Sequence, residues 1–169
     1  MLAELEKEGI STEFVQLGGC KVFGCRACGK CRQNKDLRCA RTDDEMNEFI
    51  RKTLDADGVI IGSPTYFSNV TPEVKALIDR CGYVAKGNGN ALKGKVGAAV
   101  VAVRRAGSNF VYSAINSFFG INEMIMPGSS YWNMTLARDR GDALKNEEGI
   151  TTFQNLGRNM AWLLKKIKA

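Results

Sequence analysis

Apolar and polar residues follow two rhythms along this chain, one suited to helices and one to strands. Met46, Phe49, Ile50 and Leu54 recur at helical spacing, which predicts a helix with one buried face. Thr42-Asp43-Asp44-Glu45 precedes that stripe as a capping box, its acids also suited to the positive helix end. Gly58-Val59-Ile60-Ile61-Gly62 is instead a continuous apolar run between glycines, the mark of a strand buried on both faces. After a loop from Ser63 to Val70, Thr71-Pro72-Glu73 predicts a helix start with proline at the first helical position. Val74, Leu77, Ile78 and Cys81 form its buried stripe. Val96 to Val103 carries the strongest strand signal. A helix capped by Ser108 or Asn109 then runs to Phe119, and Met124-Ile125-Met126 gives the last strand.

The two ends add shorter signals. Leu2 to Glu8 reads as the tail of a helix stopped by Gly9, and Ser11 to Leu17 as a short strand. An irregular stretch to about Gly149 precedes a helix carrying Phe153, Leu156, Met160, Leu163, Leu164 and Ile167. Its basic end, Lys165-Lys166-Ile167-Lys168, suits the negative end of the helix dipole. Strands alternating with helices predict an α/β fold built on a parallel sheet. The chain has 169 residues with no repeat, linker or low-complexity tract, so a single domain over residues 1–169 is expected.

Composition narrows the function. Hydrophobic content of 44% and charged content of 25% suit an ordered globular domain. No run of 18 apolar residues predicts a membrane span. With no basic-then-apolar leader, the cytoplasm is the expected location. Histidine is absent, which removes every mechanism needing imidazole as base, acid or metal ligand. The charge is localised: between Cys20 and Arg41 seven basic residues face Asp36 alone, and this +6 equals the net charge of the whole chain. Few aromatics interleave with these charges, so nucleic acid is not an expected partner. A positive field instead favours thiolates, or an anionic cluster or ligand, near the cysteines.

Five of the six cysteines, Cys20, Cys25, Cys28, Cys31 and Cys39, fall in this segment. That clustering indicates metal binding or thiol redox chemistry rather than disulfide staples. Cys25-x2-Cys28-x2-Cys31-x7-Cys39 spaces three thiolates for corners of an iron–sulfur cube, with a fourth arriving after a longer excursion. Gly24, Ala27 and Gly29 leave room for the chain to curl. Free thiols in a flexible loop are the equal alternative. Zinc, which favours two separated Cys-x2-Cys pairs, fits less well. Cys20 reads as an incidental thiol and Cys81 as a core residue.

The segment from Gly62 to Pro72 lies at the carboxyl end of a predicted strand and ahead of a helix, where open α/β sheets bind ligands. Tyr66 and Phe67 offer stacking faces, and Ser63, Thr65 and Ser68 offer hydroxyls. Such a set suits a flat heteroaromatic ring, although by composition alone an ordinary strand-to-helix turn with an aromatic covering the core is the better reading. Gly62-Ser63-Pro64-Thr65-Tyr66-Phe67 followed by Val74-Lys75-Ala76-Leu77-Ile78-Asp79-Arg80 resembles the signature of the NADPH-dependent FMN reductase family of flavodoxin-like flavoproteins. Cys25-x2-Cys28-x2-Cys31, with Cys39 and Asp43-Asp44, is similar to the cysteine-rich branch of that family, which includes the iron–sulfur flavoproteins.

The likeness spans nearly the whole chain and implies a flavodoxin-like three-layer sandwich with Cys20–Arg41 as a cysteine-rich insertion. It implies FMN bound by Ser63, Pro64, Thr65, Tyr66, Phe67, Ser68 and Asn69. Arg105 and Gly107 lie in the Arg104–Ser108 loop on the other side of the ring. Cys25, Cys28, Cys31 and Cys39 become the ligands of a 4Fe–4S cluster. Gly128 to Asn133 is either part of the site, a dimer contact or a plain surface turn. One departure stands out: the family begins with a buried strand and a phosphate-cradling loop, whereas this sequence begins inside the helix that follows them. The expected sheet, order 2-1-3-4-5, therefore lacks a central strand, and no residue is assigned to the phosphate.

The function so implied is an FMN-dependent NAD(P)H oxidoreductase. It would pass electrons to a quinone, a second flavin, another small acceptor, an acidic redox partner or the cluster, with the hard chemistry carried by the cofactor. No catalytic side chain is assigned, and a homodimer or homotetramer is expected. A non-catalytic iron–sulfur or thiol redox-sensing module on the same scaffold is the alternative. A flavodoxin-type electron carrier is a third, and the basic charge balance counts against it.

Overall fold

A computed structural model describes residues 1–168. Three strands form one parallel sheet in the order β1 (Gly58–Pro64), β2 (Val96–Val103), β3 (Met134–Leu136). Helix α1 (Leu2–Lys7) and the long α6 (Glu147–Lys168) cover one face. Helices α3 (Met46–Asp55), α4 (Pro72–Gly87) and α5 (Ser108–Ile121) cover the other, and a single turn, α2 (Lys30–Asn34), rides on α4. The result is the expected three-layer α/β sandwich. Strand β2 is its centre: Val96 and Ala98 face Leu156, Met160 and Leu164 of α6, while Ala99 and Val101 face the α3–α5 core.

Local chemistry explains most boundaries. The α3 stripe buries Met46, Phe49 and Ile50 as expected. Thr71 caps α4 by accepting from the Val74 amide at 3.4 Å, with Pro72 in the first turn. The Thr42–Glu45 capping box does not form. Helix α3 begins at Met46: Asp44 accepts from the Met46 amide at 3.3 Å as well as from the Phe23 amide, and Glu45 accepts from the Lys21 amide at 2.6 Å instead of reaching back to Thr42. Helix α5 is capped by Gly107 in a left-handed conformation (φ 90°), not by Ser108 or Asn109, which lie inside the helix.

Three strand expectations are corrected. Ser11–Leu17 has no regular secondary structure and makes no ladder. A strand exists only with a partner, and residues 9–18 line a cleft of about 1500 Å³ whose lining also includes β1. Among the described residues β1 pairs with β2 alone, and Gly62 and Pro64 are exposed, so β1 is not buried on both faces. Met124–Met126 gives a single bridge, Ile125 to Val96, because it meets only the start of β2. The regular strand is β3, which meets the end of β2 at Val101–Val103.

Candidate functional site

Parallel pairing brings the carboxyl ends of β1 and β2 side by side. The Thr65 amide donates to the Ala102 carbonyl at 2.8 Å and carries the ladder one residue past β1. The chain then folds back on itself through reciprocal bonds between Tyr66 and Asn69 at 3.1 and 3.0 Å. Phe67 and Ser68 form the tip, both with positive φ (48° and 58°), a conformation that non-glycine residues adopt only where surroundings enforce it. Phe67 is fully exposed and Tyr66 largely so.

The hydroxyls divide into two kinds. Ser63 is buried, and its oxygen accepts from the Thr71 amide at 3.1 Å while donating to the Pro64 carbonyl at 2.8 Å. It braces the loop from within. Thr65 has a buried hydroxyl with no hydrogen-bond partner among the described residues. Buried polar groups are rarely left unbonded, so such an atom calls for a partner. Asn69 accepts from the Val70 amide at 2.9 Å.

The loop after β2 touches this one. A Cβ on Gly107 would stand 2.6 Å from Ser68 Oγ and 3.0 Å from Ser68 Cα. Only glycine permits that approach at φ 90°. Arg104 and Arg105 are exposed on the same loop, and no acidic residue lies in the first turn of α5. The Gly128–Asn133 segment is tied to α6 by Ser129 donating to Thr152 at 2.6 Å and Asn159 donating to the Gly128 carbonyl at 2.9 Å. Its Tyr131 and Trp132 rings lie 4.9 Å apart and both are exposed.

The cysteine segment forms a second centre. Cys25, Cys28, Cys31 and Cys39 line one cavity of about 150 Å³, together with Arg41 and Arg80. Left-handed Ala27 and Gly29 turn the chain between the cysteines, and the Ala27 amide donates to Cys25 Sγ at 3.3 Å. Burial pushes the Cys31 thiol up, and the neighbouring Cys39 and Cys28 add to it. Among the described residues no three His, Cys, Asp or Glu side chains close on one point as ligands of a single metal ion. Cys20 lies outside the cavity, bonded to the Gln16 carbonyl at 3.2 Å. Cys81 is buried in the main core.

Helix α4 anchors this segment with two side chains that spacing rules passed over as site residues. Asn88, just past the helix end, donates to the Cys31 carbonyl at 3.3 Å and accepts from the Leu37 amide at 3.1 Å. Arg80 is fully enclosed and pairs with the equally enclosed Asp44. Burial works against both charges, yet the pair and its hydrogen bonds hold Arg80 above and Asp44 below their ordinary pKa ranges. An arginine three residues after Leu77 and beside Cys81, on the buried side of an amphipathic helix, was the available signal.

Residues 1–139 match the family described as NADPH-dependent FMN reductase. An iron–sulfur flavoprotein of Methanocaldococcus jannaschii is 34% identical over 99% of this chain and 88% of its own length. An iron–sulfur flavoprotein of Methanosarcina thermophila is 37% identical over 75% of this chain and 66% of its own. Among solved structures, a flavone reductase superposes with a TM-score of 0.70 at 17% identity, covering 99% of this chain and 57% of that one. An archaeal flavodoxin superposes at 0.58 with 14% identity, covering 99% and 85%. These two establish a flavodoxin-like fold. With its aromatic loop at the carboxyl ends of a parallel sheet and its match over residues 1–139, this chain belongs to the NADPH-dependent FMN reductase family.

Proposed function

We propose that this protein is an FMN-dependent NAD(P)H oxidoreductase whose cysteine loop holds a 4Fe–4S cluster. The observation that carries the flavin reading is the unbonded, buried Thr65 hydroxyl in a loop that also displays Tyr66 and Phe67 and touches the loop after β2. Thr65 would bond a polar edge of the flavin, while Tyr66 and Phe67 offer it apolar faces. Arg105 would place positive charge toward the reduced ring. Bound FMN supplies hydride acceptance and electron release. Each of these residues binds or orients the ring, and none has to move a proton.

The cysteines fit a cluster by three observations: they share one cavity, an amide already donates to Cys25 Sγ, and arginines line the walls. Amide bonds to sulfur and nearby positive charge both suit an anionic iron–sulfur group. A bound cluster supplies one-electron steps. The exposed basic side chains around it suit an acidic redox partner or a small anionic acceptor.

The test is spectroscopic. The intact chain is purified without oxygen, supplied with FMN and reduced with NADPH. Structured flavin bands that bleach on NADPH addition are expected, above a broad brown absorbance. Unchanged flavin bands reject the oxidoreductase, and brown absorbance without flavin bands indicates a redox-sensing module instead.

A further inference from the structure

We infer that Arg80 is a positioning residue for the Cys39 ligand, fixing its sulfur and setting the reduction potential of the group it holds; this rests on the cluster reading above. The guanidinium has no exposed surface. Its Nε donates to Cys39 Sγ at 3.3 Å, Nη1 to the Phe23 carbonyl at 3.1 Å, and Nη2 to the Arg41 carbonyl at 3.1 Å. Nη1 also pairs with Asp44, whose carboxylate accepts from the Phe23 and Met46 amides at 2.9 and 3.3 Å. One side chain therefore ties together the chain entering the cysteine segment, the chain leaving it and one thiol within it.

No other residue type supplies this. Lysine has three donors on a point charge, while arginine presents five in a planar fork. Burying so large a cation is costly unless every direction is answered. Asp44 and two carbonyls take three of the five N–H groups, and a fourth goes to a sulfur. That sulfur belongs to the half-buried Cys39, one of the four cysteines lining the cavity, whereas the fully buried Cys81 outside it has no such donor among the described residues.

The physical consequence is directional. A hydrogen bond and a nearby positive charge withdraw electron density from a ligating thiolate and stabilise the more negative, reduced state of a cluster. Removing the bond should lower the potential. Outer-shell partners also hold ligands in place, and losing one typically costs about 10-fold or more in metal affinity.

The experiment uses the full chain, reconstituted anaerobically with iron and sulfide, as wild type, Arg80→Lys and the double variant Arg80→Met/Asp44→Asn. The double variant removes both buried charges together, so it stays informative if the single change does not fold. Three readouts are taken: bound iron, midpoint potential by redox titration, and the rate of iron release to a chelator. A fourth, tryptic cleavage within residues 26–38, is taken on metal-free protein. The proposal expects a more negative potential, iron release about 10-fold faster and faster tryptic cleavage in the variants. Wild-type iron content with unchanged potential and release overturns the role of Arg80 while leaving the cluster reading intact. Failure of the wild type itself to take up iron and sulfide overturns the cluster reading, and with it this one.

Discussion

Arg80 and Cys81 are chain neighbours on α4 with opposite fates: one reaches the cysteine cavity, the other faces only hydrocarbon. Burial alone pushes the Cys81 thiol from 9.0 up to about 12. Below pH 9 the thiol is protonated in both folded and unfolded chains and its contribution to stability is intact. Between pH 9 and about 12 only the unfolded chain releases the proton, so that contribution drains away, by up to about 4 kcal/mol at the top of the window. Denaturant titrations at pH 7, 9 and 10.5 should show wild-type stability falling faster with pH than that of Cys81→Ala. Parallel slopes would remove the buried thiol from the account. Gly107 is a second single-residue control. Alanine there meets Ser68 and adopts a left-handed conformation costing about 1–2 kcal/mol. Gly107→Ala should weaken FMN binding roughly tenfold, read by fluorescence titration. The four cavity cysteines were legible because their spacing is a local property. The role of Arg80 was not, since its partners at 23, 39, 41 and 44 converge on it only through the fold.

At the scale of elements, β2 was legible to the residue, its apolar run matching its observed limits. The lane beside it was not, because two segments share it. Ile125 bonds the start of β2, with Gly97 donating to its carbonyl at 3.0 Å, and Asn133 takes up again at Val101 with a bond of 2.9 Å. Residues 127–132 loop out between, so neither half carries a full strand pattern. The same region shows why β2 contains Gly97: a Cβ there would stand 2.7 Å from the Phe119 ring. That ring is fully buried and has no room to retreat. Gly97→Ala should therefore destabilise by about 1–3 kcal/mol through overpacking, measured by urea unfolding, whereas Gly120→Ala on α5, with open space at its Cβ, should not. The missed helix starts at Thr42 and Ser108 share one cause. A capping side chain can be read locally only when tertiary partners make no claim on it, and Glu45 is bonded by the Lys21 amide while the Ser108 hydroxyl bonds Met134.

For the whole molecule, the alternation of strands and helices was enough to give the layers, because each layer only needs a face of the right period. Pairing was harder to read: Ser11–Leu17 has a strand's composition without a strand's partner. The cleft lined by that segment and by β1 has a consequence for exchange with solvent. Val96 donates to the Asp57 carbonyl and Thr65 to the Ala102 carbonyl, so in this parallel ladder the odd-numbered residues of β1 turn their amides to β2. Val59, Ile61 and Ser63 should therefore keep deuterium out for as long as the sheet holds, while Ile60 and Gly62, aimed into the cleft, should exchange early. Residue-resolved exchange in the isolated chain would show this as a two-beat pattern along one strand. Any segment that later occupied the cleft would announce itself by silencing every second beat.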